Sequence, residues 1–111
     1  MIKRVGFGWR RDGMTSAEFE EHYRSVHAPI AARIPGLRGY TLNFVDDWAG
    51  DPPGGWDAFA ELWFDDVAAM EAGFAALADE ISADLPNFAG EIRAGLVREV
   101  VIVDDKKRGT P

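Results

Sequence analysis

Residues 13–45 read GMTSAEFEEHYRSVHAPIAARIPGLRGYTLNFV. The stretch decides the fold because it carries a helix start, a helix stop and a strand in succession. Thr15 and Glu18 have the spacing of a capping box, in which each side chain answers the other residue's backbone N–H. Met14 and Phe19 have the spacing of a hydrophobic staple across the same cap. From there Phe19, Tyr23, Val26, Ile30 and Ile34 recur at intervals of three and four, one apolar stripe along a helix. Pro35-Gly36 stops it. LRGYTLNFV (37–45) then reads as a strand.

Outward from this core the chain repeats the plan. Before it, IKRVGFGWR (2–10) alternates with Val5, Phe7 and Trp9 on one side, a strand with a half-buried face. After it, DDWAGDPPGGWD (46–57) is a loop rich in Gly, Pro and Asp, and AFAELWF (58–64) is a third strand. Asp65 or Asp66 caps a second helix with the stripe Val67, Met70, Phe74, Leu77 and Ile81, which Pro86 interrupts. NFAGEIRAG (87–95) suits a short helical turn and a connection, and LVREVVIVD (96–104), dense in β-branched residues, a last strand.

The order β-α-β-β-α-β predicts an α+β, ferredoxin-like domain: a four-stranded antiparallel sheet with both helices on one face. These strands are apolar on both faces, since Tyr40 and Phe44 oppose Val45, and Trp63 opposes Leu62 and Phe64. The helix-free face therefore needs a cover. A second copy supplies one most economically, giving a two-fold homodimer with a partly apolar hollow for a ligand.

A chain of 111 residues has the length of one domain, here 1–105, with a disordered tail at 106–111 that carries Lys106, Lys107 and Arg108. With no cysteine, disulfides, zinc-thiolate sites and thiol nucleophiles are excluded. The net charge is −7. It divides into +3 over residues 1–43 (seven Lys/Arg, four Asp/Glu) and −10 over 44–111 (five and fifteen). An acidic body repels phosphates, so no nucleic-acid partner is expected. No apolar run approaches the ~20 residues that span a bilayer, and no secretory pattern opens the chain, so no membrane partner and a cytoplasmic location are expected.

The candidate chemistry centres on the two histidines. On an α-helix residues four apart differ by about 40° and residues five apart by about 140°. Tyr23 and His27 thus share a face, while His22 points toward Glu18, Glu21 and solvent. His27 is either a gap-filling ring bonded to backbone or a general acid/base, the role that imidazole suits near neutral pH. Pro29, lacking an N–H, loosens this turn and re-aims His27. Asn43 either polarises a substrate carbonyl or bonds a loop. Glu61, flanked by Phe59 and Trp63, either has a raised pKa or pairs with Arg98 or Arg38. Phe7, Trp9 and Trp63 are core residues or the lining of a ligand cavity. Arg10 and Arg11 either belong to a solvated turn or meet an anionic substrate at the cavity mouth. Two histidines on different faces, without a matching carboxylate pattern, hold no metal.

The run quoted above, with AFAELWFDDVAAM and VREVVIVD, resembles the EthD family of dimeric α+β-barrel proteins over nearly the whole chain. The resemblance implies the same fold and dimer. It also places the histidine of the family's His-Ala-Pro pattern at His27, a position where methylmuconolactone-type isomerases of the family carry a histidine. Those isomerases use a cysteine as well, which this chain lacks. The expected function is a small cofactor-independent enzyme of isomerase, cyclase, dehydratase or monooxygenase type. It would act on a hydrophobic cyclic or aromatic carbonyl or hydroxyl compound, with His27 and Tyr23 catalytic and Phe7, Trp9, Asn43, Glu61 and Trp63 binding substrate. The alternatives are a non-catalytic dimer that binds a hydrophobic metabolite and a haem protein with His27 as axial ligand.

Overall fold

The computed structural model describes residues 1–47 and 55–104. Four strands, β1 (Ile2–Arg10), β2 (Gly39–Phe44), β3 (Ala58–Phe64) and β4 (Ala89–Val97), form one antiparallel sheet in the order β2-β3-β1-β4. A first helical rod, α1 (Ser16–His22) continued by Tyr23–His27 and α2 (Ala28–Ala31), and a second helix, α3 (Val67–Asp84), follow β1 and β3. The fold is the ferredoxin-like one expected from the element order. Parts of the loop at 46–57 and the basic triplet of the tail lie outside the described residues.

The caps form as their spacing requires. Glu18 N–H donates to Thr15 Oγ1 at 3.1 Å and Thr15 N–H to Glu18 Oε1 at 2.9 Å. Asp66, rather than Asp65, caps α3 by accepting from Ala69 N–H at 2.8 Å. On β3 burial alternates without a break: Ala58, Ala60, Leu62 and Phe64 are buried, and Phe59, Glu61 and Trp63 half-buried. The buried set packs under the helices with Ala31, Ile34 and Met70 at one end and Phe19, Tyr23 and Phe88 at the other. Gly73 is where α3 meets the Pro35 turn, since a Cβ there would collide with the Pro35 carbonyl oxygen. Glycine costs a helix interior about 1 kcal/mol against alanine, less than the clash it avoids.

Two expectations fail. The last strand is Ala89–Val97, so most of NFAGEIRAG is strand, preceded by a 3₁₀ turn at Leu85–Asn87. The reason is register: Val97 faces Lys3 as the last pair of the β1–β4 ladder, and the β-branched residues beyond lie outside it. Val100, Val101, Ile102 and Val103 are accordingly exposed, Ile102 at 85%. The first helix also departs from its stripe, for Val26 is exposed and His27 buried in its place.

Candidate functional site

The exchange of Val26 for His27 originates in Pro29. In an α-helix its ring would collide with the carbonyl four residues back, at Ser25. The chain instead widens into a π turn over Tyr23–His27, with Ala28 N–H donating to Tyr23 C=O five residues earlier. Such single π turns recur at functional sites. With i→i+5 bonding, residues five apart fall close to one face, so His22 and His27 come together. The expectation of a solvated His22 is thereby corrected.

What joins them is Asp84, the last residue of α3, which the sequence reading did not single out. Asp84 Oδ2 lies 2.9 Å from His27 Nδ1 and Oδ1 lies 2.8 Å from His22 Nε2, while Asn87 Nδ2 donates to Oδ1 at 3.1 Å. Asp84 and His27 are each only 6% exposed. Phe88 wedges beneath, its ring 5.1 Å from His22 and 4.9 Å from both His27 and Tyr23.

The electrostatics assign the protons. Burial pushes the Asp84 carboxyl up, but hydrogen bonds from Asn87, His22 and His27 outweigh it and hold the group below its ordinary value. An ionised carboxylate only accepts, so His27 Nδ1 and His22 Nε2 carry the hydrogens. His27 Nε2 is left with a lone pair and has no hydrogen-bond partner among the described residues. Burial also pushes the His27 pKa down, against the upward pull of Asp84, so the ring is neutral at pH 7. A neutral imidazole with a fixed tautomer and an unused Nε2 is an equipped general base.

His27 lines a cavity of about 110 Å³ between the helices and the sheet, along with Tyr23, Tyr40, Arg4 and a set of small and aliphatic side chains. Ile92 and Ala94 of exposed β4 border it. Tyr23 meets the His27 ring edge-on at 5.6 Å and interacts electrostatically with the Tyr40 phenol. Burial pushes the Tyr23 pKa up to about 12 and Tyr40 also upward, so both phenols keep their protons and can donate. In the sequence Tyr40 is only one side of an apolar strand. Its partnership with Tyr23 across the helix–sheet gap carries no local signal.

The remaining candidates lie elsewhere. Side chains alternate along a strand, so Phe7, Trp9, Asn43, Glu61 and Trp63 face away from the helices. The structure therefore brings Tyr23 and His27 together but separates them from the other five. Phe7, Trp9, Phe59 and Trp56 form an aromatic group there, with Phe7 and Trp56 centroids 4.5 Å apart. Glu61 pairs with Lys3 and accepts from Asn43 Nδ2 at 3.0 Å. Burial pushes the Glu61 pKa up, but these partners bring it below its ordinary value, so it is no raised-pKa acid. Its partner is Lys3 rather than Arg98 or Arg38, and Arg38 pairs with Asp65. Asn43 bonds the Phe59 carbonyl and Glu61 rather than a loop. Lys3 also lies 5.1 Å over the Trp63 ring.

Among the described residues no group of three His, Cys, Asp or Glu is arranged to hold a metal ion, and no helix is long and apolar enough to cross a membrane. A haem does not fit the His27 cavity. Its volume is far below the roughly 300–1,000 Å³ that even drug-sized ligands occupy.

The EthD domain model matches residues 11–91. An uncharacterized 11.0 kDa protein of Rhodococcus erythropolis, from the thcB-thcC intergenic region, is 35% identical over 74 residues, covering 66% of this chain and 71% of that one. The crystal structure of an EthD family protein from Bacillus halodurans superposes with a TM-score of 0.72 at 20% identity, over 90% of this chain and 100% of the other. A dimeric ferredoxin-like protein from Thermobifida fusca gives 0.68 at 16% identity, over 86% and 88%. At these identities the two structures speak to the fold alone. The family match covers the helix that carries both histidines and reaches past Asp84, and on that match the chain belongs to the EthD family.

Proposed function

We propose that this protein is a cofactor-independent catalyst that moves a proton on a small hydrophobic cyclic or aromatic compound bearing a carbonyl or hydroxyl group. His27 Nε2 is the acid/base, Asp84 holds the ring through Nδ1, and Tyr23 and Tyr40 orient a substrate oxygen. One observation carries the reading: a buried, neutral imidazole, oriented by an ionised carboxylate, lines an apolar cavity beside two protonated phenols. That combination suits proton abstraction next to a polarised oxygen more than passive storage, which needs no oriented base. The chemistry lies within one protomer, so Phe7, Trp9, Asn43, Glu61 and Trp63 take no part in the proton transfer.

The test is a screen of single-ring lactones and phenols by melting shift, with the hits followed for turnover against pH. Because the His27 pKa is depressed, its basic form is lost only as pH falls below the ordinary 6.5. The rate should therefore be flat through pH 7 and decline only in the acid below 6.5. A decline that begins above 6.5, or a panel that yields binding and no product, removes His27 as the base.

A second copy covers the helix-free face. Five aromatic side chains, Phe7, Trp9, Trp56, Phe59 and Trp63, are only half-buried there. The exposed residues Val100–Val103 continue from Glu99, which is tied to Lys3 on that same face. The Thermobifida fusca neighbour is itself dimeric. Solution scattering is expected to return twice the protomer mass at micromolar concentration. The protomer mass there would end this assignment and leave the His27 cavity untouched.

A further inference from the structure

Arg4 stands out in the cavity that His27 lines. It sits on β1 between Leu62 of β3 and Leu96 of β4, on the face turned toward the helices, where its neighbours are apolar. Lys3, Arg10, Arg24, Arg33, Arg38 and Arg93 each reach an acidic partner. Arg4 is half-buried and reaches none among the described residues. Burial alone shifts its pKa, downward, with no carboxylate acting on it.

Its guanidinium carbon lies 4.3 Å from the centroid of the Phe74 ring. Stacking on an aromatic face fixes the guanidinium plane but uses none of its five N–H donors. A half-buried cation without a counter-ion is costly. Here it is also oriented and lines the same cavity as the proposed base.

We propose that Arg4 is the anion-binding residue of this cavity and that the ligand is a small cyclic or aromatic carboxylate. The inference rests on the reading of the cavity as a substrate site, and it names the class of substrate. A carboxylate matches the guanidinium fork with two parallel hydrogen bonds, which would fix the ring's direction as well as its position. The cavity volume, about 110 Å³, is smaller than the ~150 Å³ that takes a benzene, so the cavity admits at most one small ring. With the acid group held at Arg4, the rest of the ring lies toward Tyr23, Tyr40 and His27.

Calorimetric titration of the full chain with benzoate and with benzyl alcohol tests this. Wild type should prefer benzoate. Arg4→Met and Arg4→Gln should each weaken benzoate by about 10-fold or more, as loss of hydrogen bonds to a charged group does, and leave benzyl alcohol unchanged. Arg4→Lys should be intermediate, keeping charge but not the fork. His27→Gln should keep benzoate affinity, which separates anion binding from proton transfer. Both neutral Arg4 variants should melt no lower than wild type, because an uncompensated charge has been removed. Equal affinity for the two probes, binding of neither, or full benzoate affinity in the Arg4 variants overturns the assignment. Benzoate binding that depends on Arg4 in a protein that turns nothing over upholds it and removes only the proton-transfer reading.

Discussion

Asp84→Asn is expected to cut turnover by about 10³- to 10⁴-fold, the scale seen when an orienting carboxylate becomes an amide beside a catalytic histidine. The side chain keeps its shape but loses its purely accepting character. Its two oxygens now receive from His27 Nδ1, His22 Nε2 and Asn87 Nδ2. An amide offers one acceptor and one donor group, so the two histidines can no longer both donate to it. With Asn87 already donating at Oδ1, the amide NH₂ belongs at the Oδ2 position, facing His27 Nδ1. The proton then moves to Nε2, where the base is needed.

The same change withdraws the pull that raises the His27 pKa, so burial drives that pKa lower still. Loss of charge-assisted bonds costs on the order of 1.5–3 kcal/mol each at most, within the 5–15 kcal/mol that a domain of this size commonly has. Histidine nitrogen shifts in NMR should report an inverted tautomer in a folded variant. A wild-type rate, or an unchanged tautomer, would show that Asp84 is a structural tie only.

The sequence makes the fold legible and the site only partly so, and the division follows from distance along the chain. The Thr15–Glu18 cap, the Asp66 cap and the alternation of β3 are settled by residues within a turn or two of one another, so spacing suffices. The last strand misleads because the ladder with β1 closes at the Lys3–Val97 pair, so the β-propensity of Val100–Val103 finds no partner in it. His22 misleads for a different reason. A five-residue separation means opposite faces on an α-helix and one face across a π turn, and Pro29 selects the second. Pro29 does signal that His27 is re-aimed, but its position alone does not give the direction.

Asp84 lies 57 and 62 residues from its two histidines, and no local pattern pairs them. One signal was available. Leu77, Ile81 and Asp84 continue the apolar spacing of α3, and a carboxylate on the buried stripe needs partners of its own. Glu61 sends the same signal from β3, where the answer is Lys3. A buried acid thus marks a network without saying whether its purpose is catalytic or structural. The proposal of a catalytic purpose rests on the unused Nε2 of His27.

Replacing that nitrogen is the second large effect. His27→Gln should lower turnover by at least ~100-fold, the usual lower bound for a positioned acid/base, and should abolish the acid decline of the rate profile. Glutamine is chosen over alanine because its amide can still donate to Asp84 and fills much of the ring's place. Alanine would leave a hole beside Phe88 and confuse instability with chemistry. Ligands found by melting shift should still stabilise the Gln variant, since stabilisation needs binding to the folded state and not reaction. The two readouts therefore separate three cases. Lost turnover with retained binding identifies a catalyst that works through His27, and unchanged turnover removes the imidazole from the mechanism. Retained binding in a variant whose wild type never forms product identifies a carrier. In that case the His22–Asp84–His27 network serves to stitch the end of α3 to the π turn, and its tautomer should have no consequence beyond stability.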